Sequence, residues 1–344
     1  MSFIVTIQPS GHQFTCEDDE TVLDAALRQG YAMPYGCRNG ACGSCIGKLM
    51  QGEVDYGATL PPAINEKEIA EGKALFCQAL PLTDLEIEVK EIGATKDIVI
   101  KTLPVRVIGL NKLNDDVMEM RLKLPATERL QFLAGQYIDI LLKDGRRRSF
   151  SLANPPHHDE YLELHLRHVP GGHFTDHVFT EMKEKALMRI EGPLGTFFLR
   201  EDSDRPVILV AGGTGFAPIK AIVEHAIALG DTRPMILYWG VRGRQDLYMA
   251  ELARSWADEH EHISFVPVLS DPRPEDAWDG RTGFVHEAVM ADHADLSGFD
   301  VYMAGPPPMI RAARAGFTAQ GLPEDQLYFD SFDYSADAQE ARKG

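Results

Sequence analysis

The spacing of hydrophobic residues changes along this 344-residue chain, and each spacing predicts a different kind of fold. Near the start, Phe3, Val5 and Ile7 alternate with polar residues, as in a strand with one buried face. A helix is predicted over residues 17–30, because acidic residues crowd its start, apolar residues follow at helical spacing and a glycine ends it. An alternating strand returns at residues 85–89. The first part therefore reads as a compact unit of strands around one helix.

Two further patterns follow. Short alternating runs broken by Gly, Pro and Asn begin near Leu103-Pro104 and are typical of an antiparallel β-barrel. After Asp204, continuous apolar runs alternate with helical stretches, as in a doubly wound parallel sheet. The predicted segments are 1–92, a linker at 93–101, the barrel at 102–203, the parallel-sheet domain at 204–334 and a polar tail at 335–344.

Charge and composition limit the possible functions. The net charge of −18 argues against nucleic-acid binding, which needs clustered Lys and Arg. Residues 1–92 carry a net charge of −8, which either steers a basic partner or only keeps the protein in solution. No run approaches the ~18 apolar residues of a membrane-spanning helix, and the first residues read as a strand, not a signal peptide. We expect a cytoplasmic monomer that does not enter a membrane.

Four of the five cysteines follow the spacing C-x4-C-x2-C…C, which is typical of a plant-type [2Fe–2S] site. Zinc usually takes paired C-x2-4-C knuckles, and a disulfide is disfavoured in a reducing compartment. Gly36, Gly40 and Gly43 interrupt the loop, and glycine can adopt positive φ there and let N–H groups approach the sulfurs. Cys16, on a predicted strand, is expected to pack in the core. The predicted metal ligands are Cys37, Cys42, Cys45 and Cys77.

The segments "PYGCRNGACGSCIGKL" and "ALFCQAL" resemble the ferredoxin domains of bacterial oxygenase reductases. This resemblance implies a β-grasp domain that holds a [2Fe–2S] cluster over the first 92 residues.

The segment "RRRSFSLANPP" resembles the R-x-Y-S motif of flavoproteins related to ferredoxin–NADP reductase. The resemblance implies that Arg148 pairs with the phosphates of FAD, and that Ser151 approaches flavin N5 as a catalytic residue. Phe150 takes the place of the usual Tyr against the flavin ring, and Ser149 completes the motif. FAD is favoured over FMN on the resemblance alone.

The next segment, "LHLRHVPGGHFTDHVF", resembles the second phosphate-binding segment of the same flavoproteins. Gly171, Gly172 and Thr175 are its candidates, with Thr175 as a helix N-cap. His165 and Arg167, on the preceding strand, are added as cofactor-binding candidates. A second metal site at the neighbouring histidines is disfavoured, because no set of acidic partners accompanies them.

A third motif, "ILVAGGTGFAPIKAI", places glycines between a buried strand and a helix, where the backbone can approach a pyrophosphate. It resembles the G-G-T-G-x-x-P of ferredoxin reductases, and "YMAGPPPMI" is similar to their C-G-P-x-x-M near the nicotinamide, with Ala304 in place of Cys. The nicotinamide candidates are Gly212, Gly213, Thr214, Gly215, Gly305, Pro306 and Met309.

Two details remain open in the sequence. The segment "LYFDSFDY" resembles the aromatic segment that covers the flavin ring; Phe332 is the candidate, with Phe329 and Tyr334 as alternatives. After the second parallel strand, Asp246 would bind a free ribose 2′-OH, whereas Arg242 and Arg244 would hold a 2′-phosphate. We expect NADH, with NADPH as the alternative.

Together these resemblances cover nearly the whole chain. They imply a reductase that takes a hydride from NADH onto FAD and passes single electrons through the [2Fe–2S] cluster to a terminal oxygenase. A second hypothesis is the reductase partner of a deoxysugar dehydratase, similar to CDP-6-deoxy-delta-3,4-glucoseen reductase. A third, from another class, is a non-enzymatic iron–sulfur carrier or sensor.

Overall fold

The computed structural model of the chain describes residues 1–95 and 98–332. The chain divides into two compact units, Met1–Val99 and Ile100–Gly344. The predicted tail at 335–344 and the alternative aromatic Tyr334 lie outside the described residues. None of the helices among residues 1–95 and 98–332 combines the length and apolar character needed to cross a membrane.

The first unit contains a five-stranded mixed sheet in the order β2-β1-β7-β3-β5, with a small β4-β6 ribbon. Strands β1 and β2 pair antiparallel, whereas β1 and β7 are parallel. This arrangement confirms the predicted β-grasp fold. The elements are β1 (Ser2–Gln8), β2 (Gln13–Glu17), α1 (Val22–Arg28), β3 (Ile46–Gln51), β4 (Val54–Asp55), α2 (Glu66–Ala70), β5 (Lys73–Leu75), β6 (Leu80–Pro81) and β7 (Leu85–Glu88).

The predicted start of the first helix is wrong by five residues. Glu17 ends strand β2, and the helix begins at Val22. Thr21 is the N-cap, because its side chain accepts a hydrogen bond from the Asp24 backbone N–H. The acidic residues that suggested an earlier start lie in the preceding turn.

The second unit begins with a six-stranded antiparallel sheet in the order β11-β10-β13-β8-β9-β12. A bridge between Leu152 and Leu164 joins its two edges, so the sheet closes into the predicted barrel. Strand β8 begins at Lys101, the last residue of the predicted linker. The elements are β8 (Lys101–Lys112), β9 (Val117–Lys123), β10 (Tyr137–Leu141), β11 (Arg147–Ser151), β12 (Leu162–Arg167), α3 (His173–Thr180) and β13 (Leu187–Leu194).

A six-stranded parallel sheet follows in the order β17-β16-β15-β14-β18-β19, as predicted. The central strands β14 and β18 are buried at every position, because helices cover both faces of the sheet. Helices α4 and α5 pack on one face, and α6 and α7 on the other. The elements are β14 (Val207–Gly212), α4 (Phe216–Leu229), β15 (Met235–Val241), α5 (Ala250–Glu259), β16 (Ile263–Leu269), β17 (Arg281–Thr282), α6 (Val285–Asp292), β18 (Asp300–Gly305), α7 (Pro307–Ala319) and β19 (Leu327–Ser331).

Candidate functional site

The four motif cysteines form two pairs in the first unit. In the first pair, each backbone N–H donates to the other residue's sulfur: Cys37 N lies 3.4 Å from Cys42 Sγ, and Cys42 N lies 3.3 Å from Cys37 Sγ. The side chains of Cys45 and Cys77 hydrogen-bond each other, and both residues are buried. No group of three or more His, Cys, Asp or Glu side chains within residues 1–95 and 98–332 is arranged to hold a single metal ion. Two thiol pairs suit a cluster with two irons, each of which takes two thiolates.

Within each pair, the hydrogen bond raises the pKa of one thiol, Cys37 or Cys45, and lowers the pKa of the other. The Cys37 side chain, with further help from Ser44, lowers the pKa of Cys42. The Cys45 side chain likewise lowers the pKa of Cys77. Cys16 behaves differently: it is fully buried, and burial raises its pKa to about 12. The prediction that Cys16 is a core residue is confirmed.

The glycines of the cysteine loop have two different roles. Gly40 and Gly43 adopt positive φ, of 80° and 79°, as predicted. At Gly40 a Cβ would also lie 2.9 Å from atoms of Gln78 and Pro61. The expectation of positive φ at Gly36 is wrong: this glycine provides space, because a Cβ there would lie 3.3 Å from Cys42 Sγ.

In the second unit, strand β11 presents the flavin motif. Arg148 is half-buried, and Phe150 packs on Phe174 of helix α3 with ring centroids 5.7 Å apart. Ser149 is exposed, and its hydroxyl donates to Asp139 at 2.6 Å on the neighbouring strand. Ser151 is buried at the end of the strand.

The hydroxyl of Ser151 has a partner that the sequence did not reveal. Ser151 Oγ donates to Asp330 Oδ2 at 2.8 Å, across 179 residues of chain. Asp330 lies on the last strand, β19, and is buried. In the sequence, Asp330 is marked only as an acid within the aromatic segment "LYFDSFDY".

The same C-terminal segment separates the aromatic candidates. The backbone N–H of Phe332 donates to Gly305 O at 2.9 Å, which places Phe332 beside the end of strand β18. Phe332 packs against the core on the α4 face of the sheet, whereas Phe329 packs on the opposite, α7 face. Of these two residues, only Phe332 lies on the face of the sheet where Phe197 is buried. Phe197 follows the last strand of the barrel, β13.

The second phosphate-binding segment starts helix α3. Gly171 has a φ of 80°, and Gly172 is the N-cap of the helix. The prediction that Thr175 is the N-cap is wrong. Its hydroxyl lies inside the first turn and donates to the carbonyls of Val169 and Gly172. Thr175 therefore stabilises the closed loop that precedes the helix.

The residues on strand β12 reach the parallel-sheet domain. His165 is buried, and its Nδ1 lies 3.0 Å from the hydroxyl of Tyr248. Arg167 pairs with Asp116 at 2.7 Å, and a Cβ on Gly213 would lie 2.8 Å from Arg167 Nη1. Arg167 thus lies over the glycine-rich turn.

Two predicted nicotinamide segments meet at the carboxyl ends of strands β14 and β18. A Cβ at Gly212 would lie 2.5 Å from Met309 Sδ and 2.8 Å from Pro306 Cδ. A Cβ at Gly215 would overlap the carbonyl of Ala304. Glycine is therefore required here for close packing, and the turn of residues 213–215 leads directly into helix α4. Ligands of open α/β sheets bind at this edge.

The three coenzyme candidates after strand β15 differ in their hydrogen bonds and exposure. Asp246 accepts a hydrogen bond from the Gly243 N–H at 3.1 Å and lies 4.0 Å from Arg167. Arg242 is exposed, and Arg244 donates to the carbonyl of Asp276 at 3.1 Å. The segment that contains Asp276 also borders a surface cavity of about 520 Å³. Its lining residues are Pro272, Arg273, Pro274, Ala277, Trp278 and Asp279.

Comparison with known protein families matches three domains in the same order. Residues 5–82 match a 2Fe-2S iron-sulfur cluster binding domain, residues 104–199 an oxidoreductase FAD-binding domain, and residues 209–315 an oxidoreductase NAD-binding domain. The chain is 42% identical over 332 residues to the CDP-6-deoxy-L-threo-D-glycero-4-hexulose-3-dehydrase reductase of Yersinia pestis, which covers 96% of this chain and 99% of the relative. The chain belongs to the family of iron–sulfur flavoprotein reductases.

Other members of the reductase family are also similar over their full length. The reductase component DmpP of phenol 2-monooxygenase from Pseudomonas sp. strain CF600 is 37% identical over 344 residues, covering 98% of this chain and 96% of the relative. The crystal structure of an Amycolatopsis cytochrome P450 reductase matches with a TM-score of 0.78 and 35% identity, covering 96% of this chain and 98% of that one. The predicted fold, the family and the oxidoreductase class are confirmed, so the reading as a non-enzymatic carrier is wrong.

The reductase carries sites for a [2Fe–2S] cluster, FAD and NAD(H), as predicted. The described residues fit these groups. The two thiol pairs suit the cluster, the guanidinium of Arg148 and the helix start at Gly172 suit flavin phosphates, and the close-packed glycines after strand β14 suit a pyrophosphate.

Proposed function

We propose that this reductase takes electrons from NADH and delivers them, through FAD and the [2Fe–2S] cluster, to a 3-dehydrase that acts on a CDP-linked 6-deoxyhexulose. One observation carries the choice of partner: the 42% identity to the Yersinia pestis dehydrase reductase extends over 99% of that protein. The oxygenase partner that the sequence favoured remains the second candidate, supported by 37% identity to the phenol 2-monooxygenase reductase.

In the flavin site, we assign Arg148 to the phosphates of FAD and Phe150 to the face of its ring. Bound FAD accepts the two electrons of a hydride together and can release them one at a time. Ser151 is assigned to flavin N5, and its hydrogen bond to Asp330 supports this role. Because Ser151 Oγ donates its hydrogen bond to the Asp330 carboxylate, its lone pairs would be available to accept a hydrogen bond from bound flavin. Asp330 acts through Ser151 and is therefore a positioning residue.

In the nicotinamide site, the turn of residues 212–215 and the start of helix α4 are assigned to the pyrophosphate of NADH. Gly305, Pro306 and Met309 close the turn from the side, since they pack directly against Gly212. Phe332, hydrogen-bonded to Gly305, is assigned to the position beside the flavin ring. Asp246 is assigned to the ribose of NADH, with Arg242 and Arg244 as the residues that would favour NADPH.

In the cluster site, all four cysteines are assigned as ligands, with Cys37 and Cys42 on one iron and Cys45 and Cys77 on the other. The pairing of the thiols supports this division. A reducing compartment keeps the four cysteines from forming disulfides, so the cytoplasm is the location we propose. A monomer is the proposed oligomeric state. Gel filtration of the holoprotein tests the oligomeric state.

The partner is tested by reconstitution. The purified holoprotein is mixed with NADH and with either the Yersinia pestis 3-dehydrase and its CDP-hexulose, or the phenol 2-monooxygenase components and phenol. We expect NADH oxidation coupled to sugar product in the first mixture to exceed coupled phenol hydroxylation in the second. Coupling only in the phenol mixture would replace the dehydrase with an oxygenase partner, while the NADH-to-cluster route would stand.

A further inference from the structure

A buried cluster of polar side chains connects the barrel to the parallel-sheet domain in the second unit. Glu163 and His165 belong to strand β12 of the barrel, Lys220 and Glu224 to helix α4, and Tyr248 precedes helix α5. Lys220 Nζ lies 3.3 Å from Glu163 Oε1 and 3.0 Å from Glu224 Oε2. His165 Nε2 lies 3.0 Å from Glu163 Oε1, and its Nδ1 lies 3.0 Å from the Tyr248 hydroxyl. The side chains of Lys220, Glu163 and His165 are 8%, 5% and 0% exposed.

Such a cluster is costly to bury, because removing a charge from water costs several kcal/mol unless the charge is paired and hydrogen-bonded. Burial acts to raise the pKa of Glu163, but its contacts with His165 and Lys220 outweigh burial and hold that pKa at about 2. Burial keeps the pKa of Tyr248 well above its ordinary value, so its hydroxyl stays protonated. Glu163 is therefore a carboxylate at neutral pH, and it has the partners it needs.

Lys220 occupies the centre of this cluster. Its ammonium group has three donors, and three acceptors surround it: Glu163, Glu224 and the carbonyl of Ala153, which lies 3.1 Å away. Ala153 follows Ser151 by two residues, at the end of the flavin motif. Lys220 itself stands in the second turn of the helix that follows the glycine-rich turn. One side chain thus ties the two cofactor-binding segments together.

We propose that Lys220 is a positioning residue for hydride transfer, which fixes the end of the flavin-binding strand relative to the helix that follows the nicotinamide-binding turn. The inference rests on the proposed roles of Ser151 and residues 212–215. Hydride transfer requires close, aligned reacting atoms, and a misplacement of about 1 Å can cost ~100-fold in rate. A side chain that holds both segments therefore controls the rate without touching either cofactor.

Four variants test the proposal. Lys220→Met removes the ammonium group and keeps most of the volume, whereas Lys220→Arg keeps the charge and donors. The double variant Glu163→Gln with Lys220→Met removes both charges of the most deeply buried pair. It leaves Glu224, whose side chain is 20% exposed and whose pKa burial already raises, to be solvated or protonated. Lys112→Met, at an exposed position in the same unit, is the matched control for loss of one positive charge.

Three quantities are measured on each flavin-loaded variant: the rate of flavin reduction by saturating NADH per bound flavin, the melting temperature, and hydrogen exchange in residues 150–156. For Lys220→Met we expect reduction to slow by ~10- to 100-fold and exchange in 150–156 to rise. Lys220→Arg should recover most of the rate, and Lys112→Met should match the wild type. The double variant should regain the melting temperature and remain slow.

Recovery of the rate in the double variant would overturn the proposal, since Lys220 would then only stabilise the fold. The same conclusion follows if Lys220→Met reduces flavin at the wild-type rate per bound flavin. If Lys220→Met fails to fold, the double variant and Lys220→Arg decide between these outcomes. A wild-type protein whose flavin is not reduced by NADH would contradict the proposed function instead.

Discussion

The two units of the chain have different interiors. In the first unit, the buried side chains among residues 1–94 are apolar, aromatic or thiols, as at Tyr35, Cys45 and Cys77. In the second unit, charged and polar side chains are also buried, including Glu163, Lys220 and Asp330. The cluster site is built mainly from one loop, whereas the flavin and nicotinamide sites are built from strands and helices far apart in sequence.

This difference determines how each site is held in place. The cysteine loop is organised by its own backbone, through N–H groups directed at sulfurs and glycines at positive φ. The flavin and nicotinamide segments are joined by side-chain hydrogen bonds between the barrel and the parallel sheet, such as Ser151 to Asp330. Damage to the first site should therefore stay local, and damage to the second should spread to both cofactors of that unit.

The largest expected effect breaks the first site alone. Cys45→Ser removes a thiolate, so the [2Fe–2S] cluster should be lost and cytochrome c reduction with it. Flavin reduction by NADH and ferricyanide turnover should persist, because their residues lie in the second unit. Iron content, visible spectra and both activities are measured, with Cys16→Ser as the control that should change none of them. Equal loss of both activities with flavin still bound would refute the flavin-to-cluster order.

The next effect concerns flavin binding. Arg148→Ala removes a charge-assisted contact to phosphate, worth ~1.5–3 kcal/mol, so FAD affinity should fall by about 10- to 150-fold. Arg147→Ala is the matched control on the same strand, because Arg147 pairs with Glu191 instead. Flavin retained after dialysis is measured for both. Full retention in Arg148→Ala would reassign the phosphate contact.

A smaller effect is expected at the hydrogen bond across the second unit. Ser151→Ala should slow flavin reduction by about tenfold while FAD stays bound, as for the loss of one hydrogen bond of ~1–1.5 kcal/mol. Asp330→Asn should slow it less, because the amide oxygen can still accept from Ser151. Stopped-flow reduction by NADH gives both rates. If flavin reduction were slower in Asp330→Asn than in Ser151→Ala, Asp330 would have a role that does not pass through Ser151.

The remaining effects are on stability and leave activity aside, and they compare acid sensitivity in the two units. The pKa of Glu163 is lowered from 4.5 to about 2, so its stabilisation is complete above 4.5 and is lost as the pH falls toward 2. Glu163→Gln should reduce the free energy of unfolding at neutral pH by up to about 3 kcal/mol and flatten its decline in acid.

Glu20 is the counterpart in the first unit. An Arg28 hydrogen bond lowers its pKa, but the pair is partly exposed. Glu20→Gln should change the free energy of unfolding by less than about 1 kcal/mol. Calorimetry across the acid range measures the free energy of unfolding of both variants. An equal loss in Glu20→Gln and Glu163→Gln would show that burial of the carboxylate does not determine the size of the effect.

The sequence predicts those parts that depend on local backbone. Cysteine spacing, the strand that carries Arg148 and Ser151, and the glycines before helix α4 follow from contacts within a few residues. Cap positions depend on more than residue type: threonine is a good capping residue, yet Gly172 is the N-cap and Thr175 closes the loop before the helix.

The contacts that were missed are long-range. Asp330 and Lys220 have no local signal, because each depends on a partner on another domain's strand. A lysine in an apolar helix and an acid in an aromatic segment acquire a role only when the barrel and the parallel sheet come together.

The partnership of Ser151 and Asp330 also sets an order of events during synthesis. The four cysteines assigned to the cluster lie within residues 37–77, so the first unit can fold soon after it leaves the ribosome. A ribosome that has made Ser151 must add 179 more residues before Asp330 exists, which takes roughly 10–40 s at elongation rates of about 5–20 residues per second. A nascent chain can therefore have a complete cluster-binding unit while its flavin and nicotinamide unit is still incomplete. Translation that stops early leaves the same imbalance permanently.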